Sequence, residues 1–343
     1  MRSPGSASTS PAAAGTQPAA GVPAAAGAPP AADCARTRER SSMPVLKLMT
    51  WIAVVFGRTV SRWLLVPITM YFLTFAPVQR RHATRYLRRA LGREPRYADF
   101  YRHVHNFAST VLDRVYWLRG RRDLFDLRLR GEQLVVDTLD EGRGALLVGA
   151  HIGSFESLRS VGLQHPDLRI AMVMFPDNAR LINAALAAIA PGARVDVIPL
   201  GRPDTPLMVR DWLDAGQLAG ILADRTLTGA GTRKDLHRLP FLGTPAAFSD
   251  GPFRLAMLLR RRVIFMVGLY LGGNRYDVRF EPLADFSRPP ATPAEREQAV
   301  AQALRDYVAK LEALCREAPG NWFNFHDFWQ EEAGEDERDC VSP

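Results

Sequence analysis

The stretch LLVGAHIGSFESL, from Leu146 to Leu158, holds the residues best suited to chemistry. His151 closes an apolar run, and Glu156 follows five positions later. A carboxylate that keeps one imidazole nitrogen protonated leaves the other as a base. Such a base takes the proton from a hydroxyl or amine as it attacks an acyl carbon. On one continuous helix the two side chains would lie about 140° apart and would not meet. The pairing therefore requires a strand, a turn and a helix. GALLVGAH supplies the strand, Gly153 the sharp turn, and Ser154 the cap of a helix over SFESLRSVGLQ. His151 then stands at the strand's C-terminal edge, where α/β proteins place their ligands. Glu156 sits in the first helical turn, able to reach back. Backbone N–H groups near Gly153 and Ser154 would face a developing oxyanion.

The spacing occurs a second time, as His326 and Glu331 in HDFWQE. That match follows no strand, lacks the glycine turn and lies among aromatics, so His326 reads as a packed or capping histidine. Asp224 ends another apolar segment, QLAGILAD, where it either caps the next loop or serves the site, and Arg225 follows it. Arg225, Arg233 and Lys234 are loop cations able to hold an anionic substrate or carrier. Phe241 and Gly243 shape a turn near the site. The glycines of LTGAGT precede no Lys-Ser/Thr pair that opens a helix, which excludes a nucleotide P-loop. LYLGGNRY reads as a hairpin turn. No histidine, cysteine or carboxylate spacing supports a metal. Cys34, Cys315 and Cys340 are scattered, which fits a reducing compartment.

The elements that position these residues follow from periodicity. After Gly131 apolar strands alternate with helical segments: LRIAMVMF, RVDVIPL, QLAGILAD, RVIFMVGLY and YDVRFEPL as strands, with NARLINAALAAIA, TPLMVRDWLDAG and GPFRLAMLLRR among the helices. Such repetition predicts an α/β fold, a mostly parallel sheet flanked by helices. TPAEREQAVAQALRDYVAKLEALCREAPG reads as a long amphipathic helix with Thr292 as N-cap and Pro293 at its first position.

Four segments emerge. Residues 1–42 are mostly Ala, Pro, Gly, Ser and Thr with almost no large aliphatic residue, a composition that predicts a disordered leader. Residues 43–78 form an N-terminal hydrophobic helical region whose apolar runs are interrupted by Gly57, Arg58 and Arg62. It suits either an interfacial helix with its arginines toward head groups or a single span with snorkelling arginines, and Trp51, Trp63 and Tyr71 suit an interfacial belt. Residues 79–330 are the enzymatic domain, and 331–343 an acidic tail. The chain of 343 residues carries a net charge of +8, and its positive charge gathers between Lys47 and Arg130. That face suits anionic lipid head groups or an acidic carrier.

HIGSFE resembles the H-x4-D/E motif of the lysophospholipid acyltransferase superfamily, and most of all its lipid A late acyltransferase (lauroyl/myristoyl acyltransferase-like) branch. ILAD with Asp224 is similar to the family's later strand ending in an acid. Phe241, Gly243, Ala246, Gly251 and Pro252 match its F-x-G-x-x-A…G-P block, and NWFNFHDFW resembles its C-terminal Trp- and His-bearing motif. The resemblance covers about residues 45–330. It implies a glycerol-3-phosphate acyltransferase-like fold, His151 and Glu156 as catalytic pair, and substrate contacts from Gly153, Ser154, Asp224, Arg225, Phe241 and Gly243. It also implies an acyl carrier protein or acyl-CoA as donor, a membrane lipid as acceptor, and no cofactor. The chain departs from the branch at VMFPDNAR, where Phe175 replaces an arginine and Arg180 lies further along, and at Arg225. These departures count against a phosphorylated glucosamine acceptor, while the glycine-containing HIGSFE motif and short chain are similar to acyltransferases of other bacterial lipids, so the acceptor class stays open among lipid A, aminolipids and aryl polyene lipids. The expectation is a membrane-associated acyltransferase on the cytoplasmic face of the bacterial inner membrane, with no nucleic-acid partner. The competing readings are a thioester or lipid hydrolase using the same pair, and a non-catalytic basic membrane-binding protein.

Overall fold

A computed structural model describes residues 43–157, 168–176, 196–225 and 236–329. The leader, Arg180, Arg233, Lys234, Glu331, the LTGAGT loop and the segment NARLINAALAAIA lie outside the described residues.

Three helices come first: α1 (Met43–Phe75), α2 (Pro77–Leu91) and α3 (Tyr97–Leu118). Helix α1 is broken at Gly57, whose φ of 75° and ψ of 175° interrupt the helical ladder. Proline opens α2, and Gly92 closes it in the left-handed conformation. Asp99 caps α3 by accepting from the backbone N–H of Arg96 at 2.7 Å. Then follow β1 (Asp126–Arg130), α4 (Glu132–Asp140), β2 (Leu146–Gly149), β3 (Ile170–Met174), β4 (Val197–Pro199) and α5 (Thr205–Asp214). Next are β5 (Leu218–Leu222), β6 (Leu236–Phe241), β7 (Thr244–Ser249), α6 (Gly251–Leu259), β8 (Arg262–Tyr270), β9 (Arg275–Asp285) and α7 (Pro293–Glu317).

Seven strands form one sheet in the order β1-β9-β8-β2-β5-β3-β4. Every pairing is parallel except β8 with β9, which join through the Gly272-Gly273 turn. The α/β, mostly parallel sheet flanked by helices is therefore the fold observed. Strand β2 sits in the middle, buried at every position. It carries no alternation because both faces are covered. One core lies between the sheet and α7, with Val148, Phe265, Tyr307 and Trp322 among its members; the opposite face buries Leu147, Ile264 and Val278 under α4. Thr292 caps α7 by accepting from Glu295 N–H while Glu295 returns the bond, a reciprocal capping box.

Two elements escape a periodicity reading. Strand β1 has the sequence DLRLR, and its charges hide the alternation by which Leu127 and Leu129 turn inward. Strands β6 and β7 form a separate antiparallel hairpin from the LPFLGTPAAFSD block. Its two-residue turn is Leu242-Gly243, both at positive φ.

The two arginines of α1 do not turn toward head groups. Arg58 donates to both oxygens of Asp113 on α3, at 2.7 and 2.8 Å. Asp113 is fully buried and also accepts from the Tyr276 hydroxyl at 2.8 Å. Arg62 donates to the Tyr270 hydroxyl and to the carbonyl of Gly273, each at 2.9 Å. Packing against α3 and the β8–β9 turn offers these cations a carboxylate and a carbonyl, so they bind the helix to the domain.

Candidate functional site

Strand β2 delivers His151 to the C-terminal edge of the sheet, and β5 delivers Asp224 to the same edge. The two strands are parallel neighbours with Gly149 opposite Leu222, so residues two steps beyond each meet. Asp224 Oδ1 accepts from His151 Nδ1 at 2.8 Å, and Oδ2 accepts from the His151 backbone N–H at 3.0 Å. A third donor comes from the far end of the chain: Trp322 Nε1–H reaches Oδ2 at 2.8 Å. Burial opposes ionisation of Asp224. The charge and hydrogen bond of His151, the charge of Arg225 and the Trp322 bond outweigh it and hold the carboxyl well below the usual range. An acceptor-only carboxylate at Nδ1 places the proton there and leaves Nε2 as the basic nitrogen. The imidazole is 31% exposed, and Nε2 has no hydrogen-bond partner among the described residues.

Glu156 does not take this place. Its carboxylate pairs with Arg114 of α3 at 2.5 Å, and the Ser154 hydroxyl contacts it at 3.5 Å. The reason is geometric. The parallel neighbour β5 brings Asp224 level with the end of β2, while the chain leaving Gly153 turns Glu156 toward α3.

The turn itself is as the sequence predicts, and tighter. Gly153 has a φ of 62°, and a β-carbon there would lie 2.0 Å from the carbonyl oxygen of Gly268. Close approach to β8 and to the segment at Asn321 uses both backbone donors that were expected to face an oxyanion. Gly153 N–H donates to Asn321 O at 2.9 Å, and Ser154 N–H to Gly268 O at 2.8 Å. Ser154 is buried, and a helix begins at Phe155. These residues build the turn and hold no free N–H for substrate.

The other expected contacts divide. Arg225 is exposed beside Asp224, with no direct partner among the described residues. Phe241 is fully buried and offers a substrate no surface. Its ring lies edge-on to Trp322 at 5.4 Å and stacks on Trp329 at 6.0 Å, so it braces the tryptophan that holds Asp224. Gly243 is the exposed second residue of the hairpin turn. His326 is exposed near His151, Asp224 and Arg225 and makes no ion pair with a carboxylate among the described residues.

Trp322 is the functional residue that motif reasoning left without a role. The segment Asn321–Phe323 closes over the end of β2. Ile152 bridges Trp322, and Phe323 N–H donates to His151 O at 2.8 Å. The Asn321 side chain exchanges two hydrogen bonds with the backbone of Tyr270. The sequence signals were the aromatic density of NWFNFHDFW and its likeness to the family's C-terminal Trp- and His-bearing motif, and neither says where that segment docks.

A comparison with known families bears on this arrangement. The family described as bacterial lipid A biosynthesis acyltransferase matches residues 45–331. The chain belongs to that family. The protein is accordingly an acyltransferase of the lipid A biosynthesis type, and the match spans every element of the site from α1 to Trp329. A comparison with curated proteins gives no match.

The acyltransferase's Trp322 leads to a first expected result. In Trp322→Phe, Asp224 Oδ2 loses one of its two donors inside the protein. Leaving a buried acceptor short of a partner costs about 1–3 kcal/mol. We expect kcat to fall about tenfold, which corresponds to about 1.4 kcal/mol of barrier, with a lowered melting temperature. Unchanged turnover would show that Trp322 only fills space.

Proposed function

We propose that the protein moves a fatty acyl chain from a thioester donor, acyl carrier protein or acyl-CoA, to a hydroxyl or amine of a membrane lipid or glycolipid at the cytoplasmic face of the inner membrane. The observation that carries this reading is the His151 imidazole, held through Nδ1 by a buried carboxylate with Nε2 open. Nε2 takes the proton of the acceptor O–H or N–H as that atom bonds to the thioester carbon. The tetrahedral intermediate collapses, the C–S bond breaks, and the thiolate leaves with the electron pair and recovers the proton from the imidazolium. A general base of this kind contributes about 10²–10⁴-fold.

Asp224 keeps Nδ1 protonated and offsets the charge that forms on the ring. Arg225 supplies the positive charge for the oxyanion, because the N–H groups of Gly153 and Ser154 are engaged. Loss of one such stabiliser typically costs about 10²–10³-fold in kcat. Glu156, paired with Arg114, fixes the helix after the turn against α3.

The test is release of carrier thiol from an acyl thioester, with and without a lipid acceptor extract, and mass spectrometry of the lipid product. Thiol release should require the acceptor, and one lipid class should gain an acyl chain. Release at the same rate without acceptor would identify a hydrolase and overturn the proposal. In the same assay Arg225→Gln should lower kcat more than it raises KM; the reverse would make Arg225 a binding residue only.

A further inference from the structure

Helix α1 contains a stretch, Thr50–Phe75, long and apolar enough to cross a membrane. Its surroundings argue for a different placement. Every part of it is tied to the folded domain. The Tyr116 hydroxyl of α3 donates to the carbonyl of Ala53 at 2.8 Å. Arg58 and Arg62 hold the middle to Asp113 and the β8–β9 turn. Ser61, Leu65, Thr69 and Leu73, four residues apart, form one buried ridge. The Thr69 hydroxyl meets His105 Nδ1 of α3 at 3.4 Å. A helix held along its length in this way would cross a hydrocarbon layer of about 30 Å only by taking α3 with it. Helix α3 carries the exposed Arg102, with Arg119 just beyond its end. Each charge at the bilayer centre costs at least about 2.5–3.5 kcal/mol.

The opposite face of α1 is apolar and open. Trp51 is 56% exposed, Trp63 75% and Phe75 61%, with Phe56 and Tyr71 between them. It continues onto α3 through the exposed Phe107 and Val111. On α2, Arg81, Arg85 and Arg88 are exposed at helical spacing along one side, Arg85 paired with Asp327 and Arg88 with Glu94. Aromatic and aliphatic residues bordered by arginines match a bilayer surface with anionic head groups.

We infer that α1 does not cross the bilayer: it lies in the interface with Trp51, Trp63 and Phe75 in the acyl layer, and its N-terminal end stays on the side of the catalytic domain. The face also reaches the site. The Phe107 ring lies 5.3 Å from Phe323 and 5.2 Å from Phe325, and Phe323 N–H is bonded to the His151 carbonyl. A lipid acceptor then slides from the membrane plane along α3 to Nε2. This last step rests on the proposed acyl transfer; the orientation of α1 does not.

The test places epitope tags at both ends of the full chain and treats inner-membrane vesicles with protease. Both tags should be cut in inverted vesicles and both protected in spheroplasts. A tag at the N-terminus that is protected in inverted vesicles and cut in spheroplasts, with the C-terminal tag behaving oppositely, would show a span and overturn the inference. Trp63→Asp/Phe75→Asp, folded by circular dichroism, should bind phosphatidylglycerol vesicles at least tenfold more weakly in flotation. Unchanged vesicle binding, with a loss of dimer instead, would assign the face to a second copy of the chain. Neither readout measures acyl transfer, so failure of the proposed reaction leaves both outcomes interpretable.

Discussion

His151→Ala is expected to lower acyl transfer by about 10²–10⁴-fold, the loss that follows removal of a general base. The variant should keep its fold. The imidazole stands at the open end of β2 and is 31% exposed, so it carries little of the packing that Val148 and Leu147 carry below it. The measurement is kcat for thiol release with acceptor present, beside a thermal melt. His326→Ala is the control, since it has the same H-x4-E spacing in sequence but no carboxylate partner among the described residues. It should retain most of its turnover. A dead His326→Ala with an active His151→Ala would place the base elsewhere and remove the proposed mechanism.

The second large effect separates the two carboxylates. In Asp224→Asn an amide replaces the acceptor at Nδ1, and the imidazole no longer has a fixed tautomer. In a serine protease triad the equivalent change costs about 10⁴-fold, and a loss of at least about 10²-fold is expected here. Glu156→Gln leaves the His151–Asp224 bond in place and weakens only the pair with Arg114. It should lose much less, and the loss should be shared by Arg114→Gln. The double variant His151→Ala/Asp224→Asn should be little worse than either alone, because residues acting as a unit do not add. If Glu156→Gln were as damaging as His151→Ala while Asp224→Asn remained active, the pairing across β2 and β5 would not be the catalytic one.

Much of this was legible in the residues themselves. Alternating strand and helix segments predicted the sheet, since a parallel strand buried on both faces must be apolar throughout, as LLVG is. Thr292 and Pro293 announced the start of α7, because capping is a local bond. Gly153 announced the turn, because a positive φ suits a residue without a β-carbon. The strand and the glycine turn distinguish His151 from His326 in the sequence. These signals act over a few residues, and the chain carries them in order.

Only the tertiary structure decided who partners whom. Glu156 lies five residues from His151 yet turns to Arg114, whereas Asp224 lies far along the chain and meets Nδ1 at 2.8 Å. Sheet order puts β5 beside β2, and no local pattern encodes that adjacency. Trp322 reaches Asp224 from a third region, and Asn321 and Gly268 take the N–H groups that the turn would otherwise present to an oxyanion. Arg58 and Arg62 illustrate the same division. By composition they are interruptions of a membrane helix, but a buried Asp113 and a turn carbonyl make them its attachment to the domain. Residue type and spacing determined which groups were available; long-range packing decided which of them were brought within hydrogen-bond distance.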